Sequence, residues 1–413
     1  MEATHPSGQS PLRGRYLASD WRLRGLLALS DLLLAPLHAR RRVELPRPPR
    51  RVLLALGGHL GDAVIATAAV RLLADALPDA ELGVLLPGWS RVVFDEHPRV
   101  RRVHSVDHWH SSRSADVLRT KWNTYRRTRR AALLEVRAEG YDAAVDLYDY
   151  FPNSAAFLWR AGIPVRIGFT SAGFAPLYTH LVQWRDDLRH TAERQADLLR
   201  VLAPSIGDSP VIHCELPPAS PVTAGKVELL LAQHELSPRR FTVMHMGAGS
   251  PLKAWSLNAW REVAMQLVAR GEKIVFTGQG SKERDDIRMV TAGIPACVDL
   301  SGQLDWPSFV HVIRLARRLL AVDTVAGHVA AAVGTPCTTL WTGISSPQHW
   351  RPLADVGDVL MHQVPCAPCF RDDGCASMRC IRELAVPEVL ASLRESDQEQ
   401  RVDSSHRHRH SIR

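Results

Sequence analysis

The sequence predicts an α/β protein made of two doubly wound, Rossmann-like halves in tandem, and three observations carry that prediction. From Arg51 onward, short apolar runs alternate with helix-length stretches. That is the pattern of a parallel sheet covered on both faces. The alternation breaks where Pro204, Pro210, Pro217, Pro218 and Pro221 crowd together, as suits a connection between domains. It then restarts in the same form. The 413 residues, 46% hydrophobic and 23% charged, have ordinary globular composition and suffice for two cores.

The expected organisation is a leader over 1–50, a first domain over 51–210, a second over 211–395 and a tail over 396–413. Residues 1–14 are polar and contain proline and glycine, a composition expected to be disordered. In 15–42, Leu23, Leu26, Leu27, Leu33, Leu34 and Leu37 recur near helical spacing, flanked by Arg13, Arg15, Arg22 and Arg24 and by Arg40, Arg41 and Arg42. A basic amphipathic helix of this kind lies in a membrane interface or packs on the protein's own body. The stretch Pro46 to Pro49 reads as a linker.

The first half then reads strand Val52–Leu56, helix Ala63–Leu77 closed by Pro78, strand Leu82–Leu86, a short helix at Val92–Glu96, a long helix over 113–139, and strand Ala143–Leu147. The long helix carries Arg119, Lys121, Arg126, Arg127, Arg129 and Arg130. Most of these suit a solvated face, and some suit acceptor phosphates. The second half reads strand Phe241–Met246, helix Ser256–Arg270 with Ser256 as N-cap, strand Lys273–Thr277, a helix capped by Asp305 and running to Arg318, strand Leu319–Val322, helix Gly327–Val333 and strand Cys337–Trp341. The tail, with its His406 to His410 run, is charged and poor in apolar residues.

A net charge of +8 suits an anionic partner such as a phosphorylated glycolipid or a membrane face. Aromatic residues are only 6% and no nucleic-acid reader motif is present, so base stacking does not organise the protein. The N-terminus lacks a secretory signal pattern, and charges interrupt every apolar run before a membrane span is reached. The expected location is cytoplasmic, with the inner membrane face as a peripheral site. Seven cysteines, four of them between Cys366 and Cys380, do not resemble a secreted disulfide framework.

Four constellations carry chemistry. Gly57-Gly58-His59-Leu60-Gly61-Asp62 follows a strand and opens a helix. Glycines there let backbone approach a ligand, and Asp62 can cap the helix or take a proton from an acceptor hydroxyl. His245-Met246-Gly247-Ala248-Gly249-Ser250-Pro251-Leu252-Lys253 follows the first strand of the second half. Its small residues leave room for a diphosphate, to which Ser250 can donate and whose charge Lys253 can neutralise. Its spacing is wrong for a Walker loop. Asp323-Thr324-Val325-Ala326-Gly327-His328 again joins strand to helix, with Asp323 or Thr324 at the cap and free N–H groups facing a phosphate. Glu283, after Gly278-Gln279-Gly280, suits ribose hydroxyls. Finally, Cys366, Cys369, Cys375 and Cys380 can be metal or cluster ligands, free thiols or two local disulfides.

Taken together, these motifs resemble glycosyltransferase family 9, the ADP-heptose–lipopolysaccharide heptosyltransferase family, from about Arg51 to Leu393. The resemblance rests on Leu60-Gly61-Asp62, on Gly247-Ala248-Gly249-Ser250 with Lys253 and Trp255, and on Thr277-Gly278 with Glu283. Asp299-Leu300-Ser301-Gly302, Asp323-Thr324 with His328 to Ala332, Gly334-Thr335-Pro336 and Cys366-Ala367-Pro368-Cys369 add to it. It implies the GT-B architecture, two Rossmann-like domains facing across a cleft, with acceptor on the first and donor on the second. It implies inverting transfer of a heptose or related sugar from a nucleotide-diphosphate donor such as ADP-heptose to a lipopolysaccharide or other envelope-glycan acceptor, with no cofactor or catalytic metal. Asp62 would be the base and Lys253 the partner of the departing diphosphate. Gly249, Ser250, Asp323, Thr324, Gly327 and His328 would assist at the donor, Glu283 would hold the ribose, and Gly61, Asp146 and Asn153 would line the acceptor side. The family usually has glycine where Val325 stands, and a β-branched residue blocks positive φ. That departure favours the alternative, a degenerate member that binds nucleotide sugar without turnover. The family's common proline after Asp62 is also missing, at or near Ala68.

Overall fold

The structure is a computed structural model that describes residues 16–18, 20–38, 48–185, 187–371 and 373–394. The chain divides into two compact units, Met1–Glu215 and Leu216–Arg413.

Unit 1 runs α1 (Trp21–His38), β1 (Arg51–Ala55), α2 (Leu60–Ala76), β2 (Glu81–Leu86), β3 (Arg102–Ser105), α3 (Leu118–Glu139), β4 (Ala143–Asp146), α4 (Ala155–Ala161), β5 (Val165–Phe169), β6 (His180–Val182) and α5 (Thr191–Leu199). Its six strands are parallel in the order β3-β2-β1-β4-β5-β6. Central β1 is buried on both faces from Val52 to Ala55, as a strand sandwiched by helices must be. Helix α2 lies close on the sheet because Ala63, Ala66, Ala68 and Ala69 are small and fully covered. Ala68 is buried within this one unbroken helix.

Helix α3 buries only Ala132 and Val136, so most of its arginine-rich surface is solvated, as expected. It begins at Leu118, not at residue 113. Gly140, at φ 65°, ends it, a left-handed cap that glycine adopts without strain. The short helix expected at Val92–Glu96 is instead a 3-10 turn over Gly88–Val93.

Helix α1 is held by one edge. Leu27 is buried beside Gly173, and Asp31 accepts hydrogen bonds from the Ala175 N–H (3.0 Å) and the Tyr16 hydroxyl (2.9 Å). Its other face leaves Trp21, Leu26, Leu29, Leu32 and Leu33 between 52% and 71% exposed. Among the described residues no helix is long and apolar enough to cross a membrane. The disorder expected for 1–14 and the charged tail over 396–413 lie outside the described residues, as do Pro46 and Arg47 of the proposed linker.

Unit 2 repeats the plan. It runs α6 (Pro221–Gln233), β7 (Phe241–His245), α7 (Leu257–Val268), β8 (Lys273–Thr277), α8 (Ser281–Thr291), β9 (Cys297–Asp299), α9 (Trp306–Leu315), β10 (Arg318–Val322), α10 (Val325–Ala332), β11 (Cys337–Leu340), α11 (Pro347–Trp350), β12 (Val359–Leu360) and α12 (Arg379–Arg382). Residues 386–394 are helical too. The parallel order is β12-β11-β10-β7-β8-β9. Asp305 caps α9 by accepting from the Ser308 N–H at 3.0 Å, while Ser256 precedes α7 without a side-chain cap bond. Arg318 does not end α9. It starts β10, buried and clamped by both Glu272 oxygens at 2.6 and 2.8 Å.

Candidate active site

Read from its first central strand, each sheet has the same order, and in each the order reverses at one place. In unit 1 this lies between β1 and β4, where Ala55 and Asp146 are register partners. In unit 2 it lies between β7 and β10, where His245 pairs with Ala321. Open α/β sheets take ligands outside the carboxyl ends of their strands at such a switch point. The Gly57–Asp62 turn lies at the first, and the Gly247–Lys253 loop and Asp323-Thr324 lie at the second.

At the unit 1 switch point the chain leaves β1 through Gly57-Gly58 and enters α2 at Leu60. Gly61 is half-buried in the first turn. Asp62 is the third helical residue and accepts the His59 N–H at 2.7 Å, so it does cap α2 as a capping box does. A Cβ on Gly58 would collide with the Asp62 carboxylate, which is why that position is glycine. The His59 ring stacks on Trp89, centroids 6.1 Å apart at 29°. Tyr148 leans over Gly57 from the β4–α4 loop. Burial, and then the negative charge of Asp62, raise its phenol well above the usual range.

At the unit 2 switch point, β7 ends at His245, whose Nδ1 lies 2.9 Å from the Thr277 hydroxyl. The loop closes in a 3-10 turn, Pro251–Lys253, capped by Ser250, whose oxygen accepts the Leu252 N–H at 3.3 Å. Gly249 is exposed in that loop. The Lys253 ammonium contacts Asp323 Oδ2 at 2.6 Å. Asp323 follows β10, and Thr324 is the residue before α10, with no capping bond of its own. Lys253 is thus tethered beside the α10 N-terminus, where helix dipole and free N–H groups favour an anion. His328, on α10, is held at about 4 by burial and by the nearby charge of Lys253. It is a neutral imidazole at neutral pH. His245 is likewise lowered to about 4 by burial.

Glu283 sits over the end of β7. Its carboxylate occupies the space a Cβ on Gly247 would need, and it accepts the Gln279 N–H at 2.8 Å. Burial lifts this carboxyl above its ordinary range, with the Gln279 hydrogen bond opposing.

Some expected site residues are placed elsewhere. Asp146 is fully buried, accepting from Tyr178 Oη (2.7 Å), the Ser154 N–H (2.6 Å) and the Tyr148 N–H (3.3 Å). Burial raises its carboxyl to about 6. It braces the loop from inside and presents nothing to a ligand. Asn153 bonds the Gly173 carbonyl at 2.8 Å and ties two loops together. Gly327 is buried under Pro352 and Thr339, so its missing side chain serves helix packing. Val325 opens α10 and is not among the residues at positive φ. The position does not require a positive φ, so the conformational objection to a β-branched residue disappears.

The four clustered cysteines are free thiols. Burial raises the Cys369 thiol, helped by the neighbouring Cys366, Cys380 and Cys375. Cys375 is lowered by hydrogen bonds from Ser377 and the Met378 N–H. Among the described residues no group of three or more His, Cys, Asp or Glu is placed to hold a metal ion. Sequence reasoning placed Tyr148 on the acceptor side, within the stretch Asp146 to Asp149, but missed Trp89, whose signal was weak: a single aromatic after a Pro-Gly turn.

The profile of glycosyltransferase family 9 (heptosyltransferase) matches residues 129–377. Lipopolysaccharide heptosyltransferase 3 of Escherichia coli is 26% identical over 307 residues, 71% of this chain and 83% of that protein. A family 9 glycosyl transferase from Veillonella parvula has the same fold, with a TM-score of 0.69 at 17% identity, covering 87% of this chain and 99% of that one. The E. coli ADP-heptose lps heptosyltransferase II structure gives a TM-score of 0.66 at 22% identity, covering 85% and 99%. The two Rossmann-like domains of the GT-B class are therefore present, and this chain belongs to glycosyltransferase family 9.

Proposed function

We propose that this glycosyltransferase moves heptose or a related sugar, with inversion, from an ADP-linked donor held by unit 2 to a lipopolysaccharide-type acceptor held by unit 1. The observation that supports this most is the Lys253–Asp323 pair, 2.6 Å apart beside the N-terminus of α10. A lysine so tethered meets a departing diphosphate without having to be ordered first.

In the proposed step, Asp62 takes the proton of the acceptor hydroxyl as its oxygen attacks the anomeric carbon. The bond to the nucleoside diphosphate breaks on the opposite face. Lys253, the Ser250 hydroxyl and the N–H groups at Thr324 and Val325 neutralise the charge that leaves. Gly249 gives the phosphates room, Glu283 accepts from ribose hydroxyls, and neutral His328 donates or accepts without adding charge. One oxygen of Asp62 holds the helix cap, which fixes the direction of the carboxylate. The degenerate alternative loses its motive, because Val325 needs no positive φ. Calorimetry and thermal shift with ADP and ADP-heptose test the donor reading. At 100 times its dissociation constant a true ligand adds ~2.7 kcal/mol of stability. No stabilisation by either nucleotide overturns it.

We place the enzyme at the inner face of the cytoplasmic membrane, docked through α1. Its outward leucines with Trp21 form the apolar face, and Arg22 and Arg24 lie in the same helix. Such a helix binds anionic lipid surfaces by area and charge together. The protein is expected to sediment with vesicles containing phosphatidylglycerol more than with neutral ones. Leu29→Glu with Leu32→Glu is expected to abolish this. Equal sedimentation of the variant contradicts the placement.

A further inference from the structure

Unit 1 carries a second surface that neither the base nor the glycine turn uses. The loop after β3 and the first turns of α3 form a chain of ring contacts. Trp109 lies 5.9 Å from Trp122, Trp122 5.5 Å from Tyr125, and Tyr125 4.7 Å from His108. His108 in turn is 6.2 Å from Phe151, in the same β4–α4 loop as Tyr148. Rings gathered only to form a core are covered. Here Trp122 is 44% exposed, on a helix that buries just Ala132 and Val136.

The cluster is also bracketed by cations. The Arg129 guanidinium stands 6.0 Å over the Tyr125 ring. Arg113, exposed in the loop before α3, is close enough to Tyr148 to pull its phenol down, while Asp62 pushes the same phenol up. The Gly57 turn lies against the Tyr148 ring and the Pro152 carbonyl, and Phe151, the residue before Pro152, touches the His108 and His110 rings, so the ring cluster adjoins the turn that carries Asp62. Burial, and then the neighbouring His110, hold His108 at about 4, so His108 is a neutral imidazole at neutral pH.

We propose that this shelf is an acceptor subsite for an anionic oligosaccharide. A pyranose unit beside the reacting one lies on Trp109 and Trp122, and its phosphate or carboxylate substituent meets Arg113 and Arg129. The apolar C–H face of a sugar ring suits flat, half-exposed aromatic rings with a polar rim. Guanidinium groups suit a phosphate or carboxylate bidentately. The inference rests on Asp62 being the acceptor-side base.

The test is calorimetric titration of the full chain with two probes, ADP and a deacylated, phosphorylated lipopolysaccharide-core oligosaccharide, before and after chemical dephosphorylation of the latter. Trp122→Ala is expected to weaken oligosaccharide binding about tenfold or more, and Trp122→Phe to restore much of it. Arg113→Ala is expected to weaken binding of the phosphorylated probe and leave the dephosphorylated one unaffected. ADP affinity and melting temperature stay at wild-type values in all three. Wild-type oligosaccharide affinity in both alanine variants overturns the subsite. So does a wild-type protein that binds ADP but not the oligosaccharide, and that result leaves the donor reading standing. Failure to bind either probe overturns both. A single-stranded thymidine oligonucleotide that binds and is lost in Trp122→Ala replaces sugar by nucleic acid and overturns the assignment.

Discussion

The two switch points occupy the same place in the same sheet order, yet they carry opposite chemistry. In unit 1 the first turn holds a carboxylate, Asp62, among aromatic rings: Tyr148 near it, and Trp89 on His59. In unit 2 the loop holds an ammonium, Lys253, preceded by small residues and anchored by Asp323 beside a helix N-terminus. One detail is shared. Each has a glycine just past its first strand, Gly58 or Gly247, whose missing side chain makes room for a carboxylate, Asp62 or Glu283. The scaffold thus repeats the backbone geometry, and a few side chains decide whether a crevice takes protons or neutralises anions.

The sharpest way to break the comparison is to remove its poles. Asp62→Asn is expected to lower kcat by ~100–10,000-fold, with ADP affinity unchanged by calorimetry. Activity near wild type removes Asp62 from the chemistry and leaves it a cap. Lys253→Ala is expected to cost ~1.5–3 kcal/mol of ADP binding, the range for hydrogen bonds to charged groups. Part of any loss of stability will come from the Asp323 carboxylate left without its cation, so Lys253→Ala should be paired with Asp323→Asn in a double-mutant cycle. Additive effects on ADP affinity contradict the tether.

The shared glycines sharpen the likeness. Gly58→Ala and Gly247→Ala should each displace a carboxylate and destabilise by ~1–3 kcal/mol, read from urea midpoints. Gly58→Ala should damage turnover, and Gly247→Ala donor binding. The smallest effect separates the units by pH. Asp146 is raised from 3.8 to about 6, so its stability contribution is present below pH 4 and lost as pH rises through 6. His328 is lowered from 6.5 to about 4, so its contribution is present above pH 6.5 and lost as pH falls through 4. Melting temperatures between pH 4 and 7 should therefore shift in opposite directions for Asp146→Asn and His328→Asn. Shifts of the same sign refute one of the two environments.

Much of the fold was legible because buried central strands announce themselves. Val52 to Ala55, Ile274 to Phe276 and Leu319 to Val322 are apolar on both faces, with glycine or aspartate close behind them. Short strands gave no such signal. His180–Val182 and Cys297–Asp299 are three residues long, at sheet edges, and only partly buried. Arg318 misled because an arginine after a helix reads as a C-terminal charge, whereas its partner Glu272 lies 46 residues away in sequence.

The candidate site divides in the same way. Sequence alone located the glycine turns and put Asp62, Lys253, Asp323 and Glu283 past strand ends, because turn chemistry and helix starts are local and come in order. It also identified the arginine-rich helix. Tertiary structure alone decided which polar residues are closed in and bonded inward. Asp146 is closed in by Tyr178 and Ser154, Gly327 packs under Pro352, and α1 keeps one leucine face covered and the other bare. It also brought Trp109, Trp122, Tyr125 and Phe151 into one shelf. The reason is physical. Backbone geometry is set by neighbours in sequence, while burial, ring contact and the balance of charge are set by whatever the fold brings near.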